Sequence, residues 1–259
     1  MKKIVLIVIL ILILSLFLGA DVYMKNMERT KAFEMMGKKI PEKVEIKEQW
    51  LAKNKFAQFS KEHSLIIDYD KGKLYLIIHR PKIYYELPTD INREKLLNLI
   101  SSLSPKAAEV IKSIKITDAK ANLSGEQKKI ANWNCYSTEF EMVFVISALN
   151  MMPKFKMKMW MTKDLPAEYK KYTKVMDEFF VKYILGMVNI DDNSKKELEK
   201  LDTVDGFQVA ADLTIGIFGT EINVESQCLE VTEKPAPPGI YSVPANYTKK
   251  PINFPKKSD

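Results

Sequence analysis

Residues 154–161 read Lys-Phe-Lys-Met-Lys-Met-Trp-Met, so that Phe155, Met157, Met159 and Met161 alternate with Lys154, Lys156, Lys158 and Trp160. A period of two places the apolar set on one face of a strand and the cations on the other. The same period recurs from Cys135 to Ile146, where Tyr136, Phe140, Met142, Phe144 and Ile146 share one face and Ser137, Glu139 and Glu141 the other. From Val44, the apolar Val44, Ile46 and Trp50 alternate with Glu45, Lys47 and Gln49. Strands with one wet and one dry face belong to an antiparallel sheet covered on one side, and this excludes an all-helical or fully parallel architecture.

Turn chemistry divides the runs. Leu65–Asp68 and Lys73–Ile78 flank Asp70-Lys71-Gly72, a hairpin signal because glycine readily takes positive φ, and a third run, Lys82–Leu87, makes a meander. Further strands are expected from about Ile114, and over Phe207–Phe218 and Glu221–Thr232 about Gly219-Thr220. Two segments carry helical spacing. Ile91, Leu96, Leu97, Ile100 and Leu103 form a stripe that Pro105 interrupts. After Pro166, residues 167–185 place Tyr169, Tyr172, Val175, Met176, Phe179, Phe180 and Tyr183 on one broad face. A short helix is expected over Ser194–Leu201. The expectation is about nine strands with two good helices: an α+β fold in which helices cover one side of an antiparallel sheet.

The opening Met1-Lys2-Lys3, followed by an apolar run from Ile4 to Ala20 broken only by Ser15, has the pattern of a signal peptide. Its 17 residues fall at the short end of a bilayer span, which takes about 20. Cleavage after Ala20 is therefore favoured over a retained anchor, and either places the rest outside the cytoplasm, in the periplasm or cell envelope. Residues 21–43 read as a spacer, 44–250 as a single domain and 251–259 as a basic tail. Without residues 1–20 the chain keeps 38 basic and 33 acidic residues, mixed along its length. That balance suits contact with an anionic membrane surface but marks no nucleic-acid groove.

Enzyme signatures are missing: no Gly-x-Ser-x-Gly, no phosphate-binding glycine loop, no His-Glu-x-x-His. His63 and His79 have no motif around them, and Asp68 and Asp70 are explained by a turn. Cys135 and Cys228 cannot make a zinc site without nearby histidines; in an oxidising compartment they either close a disulfide or stay as two buried thiols. The methionines at 157, 159 and 161 offer thioethers to Cu(I), but they equally serve as flexible apolar filler, and Phe155 continues their stripe. No catalytic residue, metal or cofactor is assigned.

Several segments, in order, resemble a family of exported bacterial proteins of unknown function, DUF4412. They are Leu65–Tyr75 followed by Lys82–Leu87, Ile130-Ala131-Asn132-Trp133-Asn134-Cys135, Met159–Pro166, and Tyr241-Ser242-Val243-Pro244-Ala245-Asn246-Tyr247. Relatives often carry glycine where this chain has Asn132 and Asn246, so those turns differ. That family is similar to the outer-membrane lipoprotein carrier and receptor group, the LolA/LolB-like proteins. The resemblance implies a strongly curved antiparallel sheet, a half-open barrel, with two or three helices on its concave side. It further implies an apolar concavity for acyl chains or a lipidated protein. The ligand-binding candidates are then Phe155, Met157, Met159 and Met161 on the strand and Tyr172, Met176, Phe179 and Tyr183 on the helix. The alternatives are an envelope interaction module with a filled core and a periplasmic copper-binding protein.

Overall fold

The computed structural model describes residues 21–90, 94, 97–98, 100–101, 104–123, 125–165, 169 and 188–251. The meander is present as read: β4 (Lys43–Ala52), β5 (Lys55–Phe59), β6 (His63–Asp68), β7 (Lys73–Ile78) and β8 (Ile83–Pro88), each antiparallel to the next. The β6–β7 turn closes as its residues dictate. Gly72 has φ +62°, its N–H donates to the Tyr69 carbonyl at 3.2 Å, and the Lys71 N–H donates to the Asp68 carboxylate at 3.1 Å.

The segment read as a spacer is corrected. Asp21–Thr30 forms β1, a ten-residue strand between β4 and β15 (Thr220–Lys234), and it joins the two halves of the sheet. Val22, Tyr23 and Met24 are buried in succession, because both faces of this strand are covered. A strand buried on both sides has no reason to alternate, and period two vanishes from its sequence. A separate hairpin follows, β2 (Phe33–Met35) and β3 (Lys38–Ile40).

The second half consists of β9 (Ile114–Asn122), β10 (Gln127–Ile130), β11 (Trp133–Ile146), β12 (Lys154–Thr162), β13 (Asn189–Ile190), β14 (Phe207–Ile217) and β15. The sheet runs β13-β9-β11-β12-β14-β15-β1-β4-β5-β6-β7-β8-β16, with β10 beside β11 and β16 at Thr248–Lys249. Its edge strands β13 and β16 add in parallel and every other pair is antiparallel, making the sheet mixed; among the described residues the edges do not meet, so the barrel is not closed.

Two α-helices lie among the described residues. α1 (Pro105–Lys112) begins where proline was expected to interrupt a helix. Ser104 caps it, accepting from the Ala107 N–H at 3.3 Å, and Pro105 occupies the first turn, where its missing N–H leaves no bond unmade. α2 (Asp192–Glu199) is capped by Asp191, which accepts from the Ser194 N–H at 2.9 Å, and passes into a 3-10 turn over Lys200–Thr203. Of the expected helix at 91–103, residues 94, 97–98 and 100–101 are described and helical; that at 167–185, apart from the buried Tyr169, lies outside the described residues.

Each side of the β1–β4–β5–β6 region has its own core. Val22, Met24, Leu51, Phe56 and Ile67 belong to one cluster, which continues into Phe207, Val209 and Cys228. Their chain neighbours Tyr23, Trp50, Ala57 and Ile66, with Ile77, form the other. The closing segment covers this second face: Ala236, Ile240, Tyr241, Val243 and Tyr247 pack on it, and the Tyr241 hydroxyl donates to Asp21 at 2.9 Å.

Candidate ligand face

The register builds the candidate face strand by strand. Phe155, Met157 and Met159 on β12 pair with Met142, Phe140 and Thr138 on β11, and with Ile215, Leu213 and Ala211 on β14. β9 adds Ala119 and Ala121 opposite Met142 and Phe140. Directly paired residues of antiparallel strands share a face, so one side of four strands is apolar. The other side carries Glu139, Glu141, Lys156, Lys158 and Asp212, with Lys156 bridged to Glu141 at 3.0 Å and Lys158 to Glu139 at 3.2 Å. Met161 keeps the period of β12, pairing with Tyr136 on β11, and is buried; the register shift with β14 leaves Val209 without a partner on β12, and Met161 lies beyond the cluster that the other three join.

Phe155, Met157 and Met159 are half-buried and pack against a cluster of Ile116, Phe140 and Met142. The Phe144 and Phe155 rings lie 4.7 Å apart, tilted by 56°. Val188, Ile190, Leu198 and Leu201 cover the same cluster, bringing α2 and its flanks over β9. Glu197 fixes that helix by accepting from the Ala121 N–H at 3.1 Å. The structure therefore packs three of the four strand candidates against one cluster. Tyr172, Met176, Phe179 and Tyr183 lie outside the described residues.

Trp160, on the charged side of the strand, is buried under cations. The Lys128 ammonium stands 3.7 Å from its ring centre and that of Lys158 5.0 Å. Close by, an open cavity of about 470 Å³ is lined by Lys128, Lys129, Asn134, Tyr136, Lys163 and Asp164, among others. Asp164 accepts from the Asn134 N–H at 2.6 Å and from its side-chain amide at 3.0 Å. Three lysines against one carboxylate make this cavity polar and cationic, unlike the apolar cleft expected of an acyl-chain carrier. Its residues come from two segments, 127–136 and 163–164, and Asn134, Lys163 and Asp164 lie in stretches that carry the family resemblance.

Cys135 and Cys228 are free and buried, so the disulfide alternative is corrected. Cys135 lies on β11 and Cys228 on β15, with β12 and β14 between them. Three inter-strand steps of about 4.8 Å exceed the roughly 4.4–6.8 Å Cα separation of a disulfide. The thiols donate instead to the Trp133 and Glu230 carbonyls, at 3.4 and 3.5 Å. Burial raises the pKa of both, that of Cys228 to about 11, which keeps them protonated and poorly nucleophilic.

His79 gains partners that no motif announced. One ring nitrogen lies 2.8 Å from the Ser64 hydroxyl and the other 2.8 Å from the Tyr247 hydroxyl. Burial first, and then the charge of His63, hold its pKa below the ordinary histidine value. The arrangement ties the closing segment to the meander. Among the described residues, no group of three or more histidine, cysteine, aspartate or glutamate side chains is placed to hold a metal ion.

No family model matches the chain, and no curated protein matches it. Among solved structures it is similar to a DUF1329 family protein from Desulfovibrio piger, at 6% identity, covering 89% of this chain and 92% of that one, with a TM-score of 0.28. A likeness that weak assigns neither fold nor activity.

Proposed function

We propose that this chain is a non-enzymatic binding or carrier protein of the extracytoplasmic space, holding a lipophilic group against the apolar face of β9, β11, β12 and β14. In this reading the sheet curves as a half-open barrel with that face inward, and α2 and its flanking residues form part of its cover. The observation that carries the reading is the one-sidedness of the face: half-buried phenylalanine, methionine, leucine and isoleucine on one side, ion pairs on the other. Methionine and aromatic side chains make a deformable apolar surface that adapts to acyl chains of varied length.

Native mass spectrometry and lipid extraction of protein isolated from the cell envelope test the reading, together with titration of a fluorescent fatty-acid probe. The expected result is a co-purifying lipid and probe binding that Met159→Ala weakens, with a stability loss well below the about 2–5 kcal/mol of a filled core. No lipid, no probe binding and a full core penalty would reject it. The second reading, an envelope interaction module, is favoured by the packing of Phe155, Met157 and Met159 against residues of the protein itself. Metal analysis of the same sample tests the copper alternative.

A further inference from the structure

Three turns stand side by side at one end of the sheet. Thr30, at the close of β1, pairs with Val224 of β15, so the β14–β15 turn and the β2–β3 hairpin lie at the Thr30 end. The Thr220 hydroxyl donates to the Glu34 carbonyl at 2.9 Å, joining these two turns. Lys154 pairs with Gly216, which brings the β11–β12 connection, residues 147–153, alongside. Each turn holds a large apolar side chain in water: Met36 is 77% exposed, Met152 65% and Phe218 59%, and Leu149 joins Met152 at 45%. Scattered exposed hydrophobic residues are ordinary. Here the three most exposed in the described structure share one end, while the β4–β5 and β6–β7 turns at the other end are built from Lys53-Asn54 and Tyr69-Asp70-Lys71-Gly72, where Tyr69 is 39% exposed.

The backbone supplies a second, independent observation. Met36 and Phe218 have φ of +51° and +53°, and each precedes a glycine at φ +75°. The first position of such a two-residue turn favours asparagine, aspartate or glycine, and a bulky side chain there is strained. Both positions thus hold a residue that suits neither the backbone nor the solvent, and among the described residues each stays largely exposed. Exposed lysines stand around them: Lys38 and Lys39 on β3, Lys154 at the start of β12, and Lys112 at the end of α1. The Ser113 hydroxyl, next to Lys112, accepts from the Ala148 N–H at 3.1 Å, which places that lysine beside the β11–β12 turn. The acids on the turn segments are Glu34, Glu42 and Glu221, with Glu42 bridged to Arg29 at 3.7 Å.

We propose that this end of the sheet docks on an anionic lipid bilayer, with Met36, Leu149, Met152 and Phe218 entering the boundary between headgroups and acyl chains and the four lysines meeting lipid phosphates. Asp21 lies at the opposite end of the ten-residue β1, about 30 Å away at roughly 3.3 Å per residue. The proposal does not depend on a ligand in the apolar face.

The test uses the full chain carrying an environment-sensitive fluorophore on a cysteine introduced by Met152→Cys, or by Tyr69→Cys at the far end; the native thiols are buried. Each is mixed with phosphatidylcholine vesicles, with or without phosphatidylglycerol. The expected result is a blue shift, quenched by spin-labelled lipid, at position 152 but not 69, and strong only with phosphatidylglycerol. In the double variant Met36→Asn and Phe218→Asn, asparagine suits the left-handed backbone, so the fold is kept. That variant should need at least about tenfold more lipid. Response at 69 alone, no response at all, response without phosphatidylglycerol, or an unchanged double variant would overturn the proposal. So would a shift at 152 that appears on concentrating the protein without lipid and vanishes in the double variant, which would mark a contact between copies.

Discussion

Asp68 illustrates how a turn residue becomes a buried charge. It is fully buried, and burial opposes its ionisation, but the hydrogen bond from the Lys71 N–H and the ion pair of the Lys71 ammonium at 3.2 Å outweigh that and hold its pKa below the usual carboxylate value. A depressed folded pKa contributes stability that is whole above the unfolded value, about 3.9, and is lost as pH falls through the folded one. Asp68→Asn should therefore cost about 1–3 kcal/mol at neutral pH and flatten the acid limb of the stability curve. Urea titrations of both proteins between neutral and strongly acidic pH check this. An equally steep acid limb in the variant would assign that limb to other carboxylates. The sequence offered Asp68 as a turn residue, and it is one; only the strands packed around it make the same side chain a buried ion.

Among the elements, α1 shows why proline is an ambiguous signal. Within an apolar stripe Pro105 reads as a breaker, yet with Ser104 before it the same residue starts a helix. Ser104→Ala should remove the cap and cost about 1 kcal/mol, read as a lower midpoint in chemical denaturation, while Ser104→Asp should hold stability near that of the wild type. The amphipathic strands were legible because one side of each is wet: β11 and β12 fall within a few residues of their expected bounds. β1 was not, since its covered faces erase the period that would reveal it, and β13 and β16, at two residues each, are too short to carry a pattern.

For the whole molecule, the closing segment is the most consequential part of the packing on the second face of the sheet. Its Tyr241 and Tyr247 secure a patch that covers Trp50 and Tyr23, and β16 then pairs with β8. Ending the chain after Lys234 should expose that face, shift Trp50 emission to longer wavelength and cost on the order of 5 kcal/mol. Tyr247→Phe removes only the hydroxyl bonded to His79 and should cost about 1 kcal/mol with no spectral change. Unaltered emission and stability after the truncation would mean that the segment rests on the sheet without holding it.

The sequence by itself determined the strands with one dry face, the hairpin at Gly72, the short helix near 192–199 and the apolar stripe through Phe155, Met157 and Met159. Each of these is a matter of local period or turn geometry. Tertiary structure decided the rest. β1 became the link between the two halves of the sheet, two intervening strands kept the cysteines apart, and the register shift between β12 and β14 left Val209 without a partner on β12. Sheet order also gathered Met36, Phe218 and Met152 at one end, although more than a hundred residues separate the first from the others. Strand pairing joins residues distant in the chain, so no window along the sequence contains both sides of such a contact.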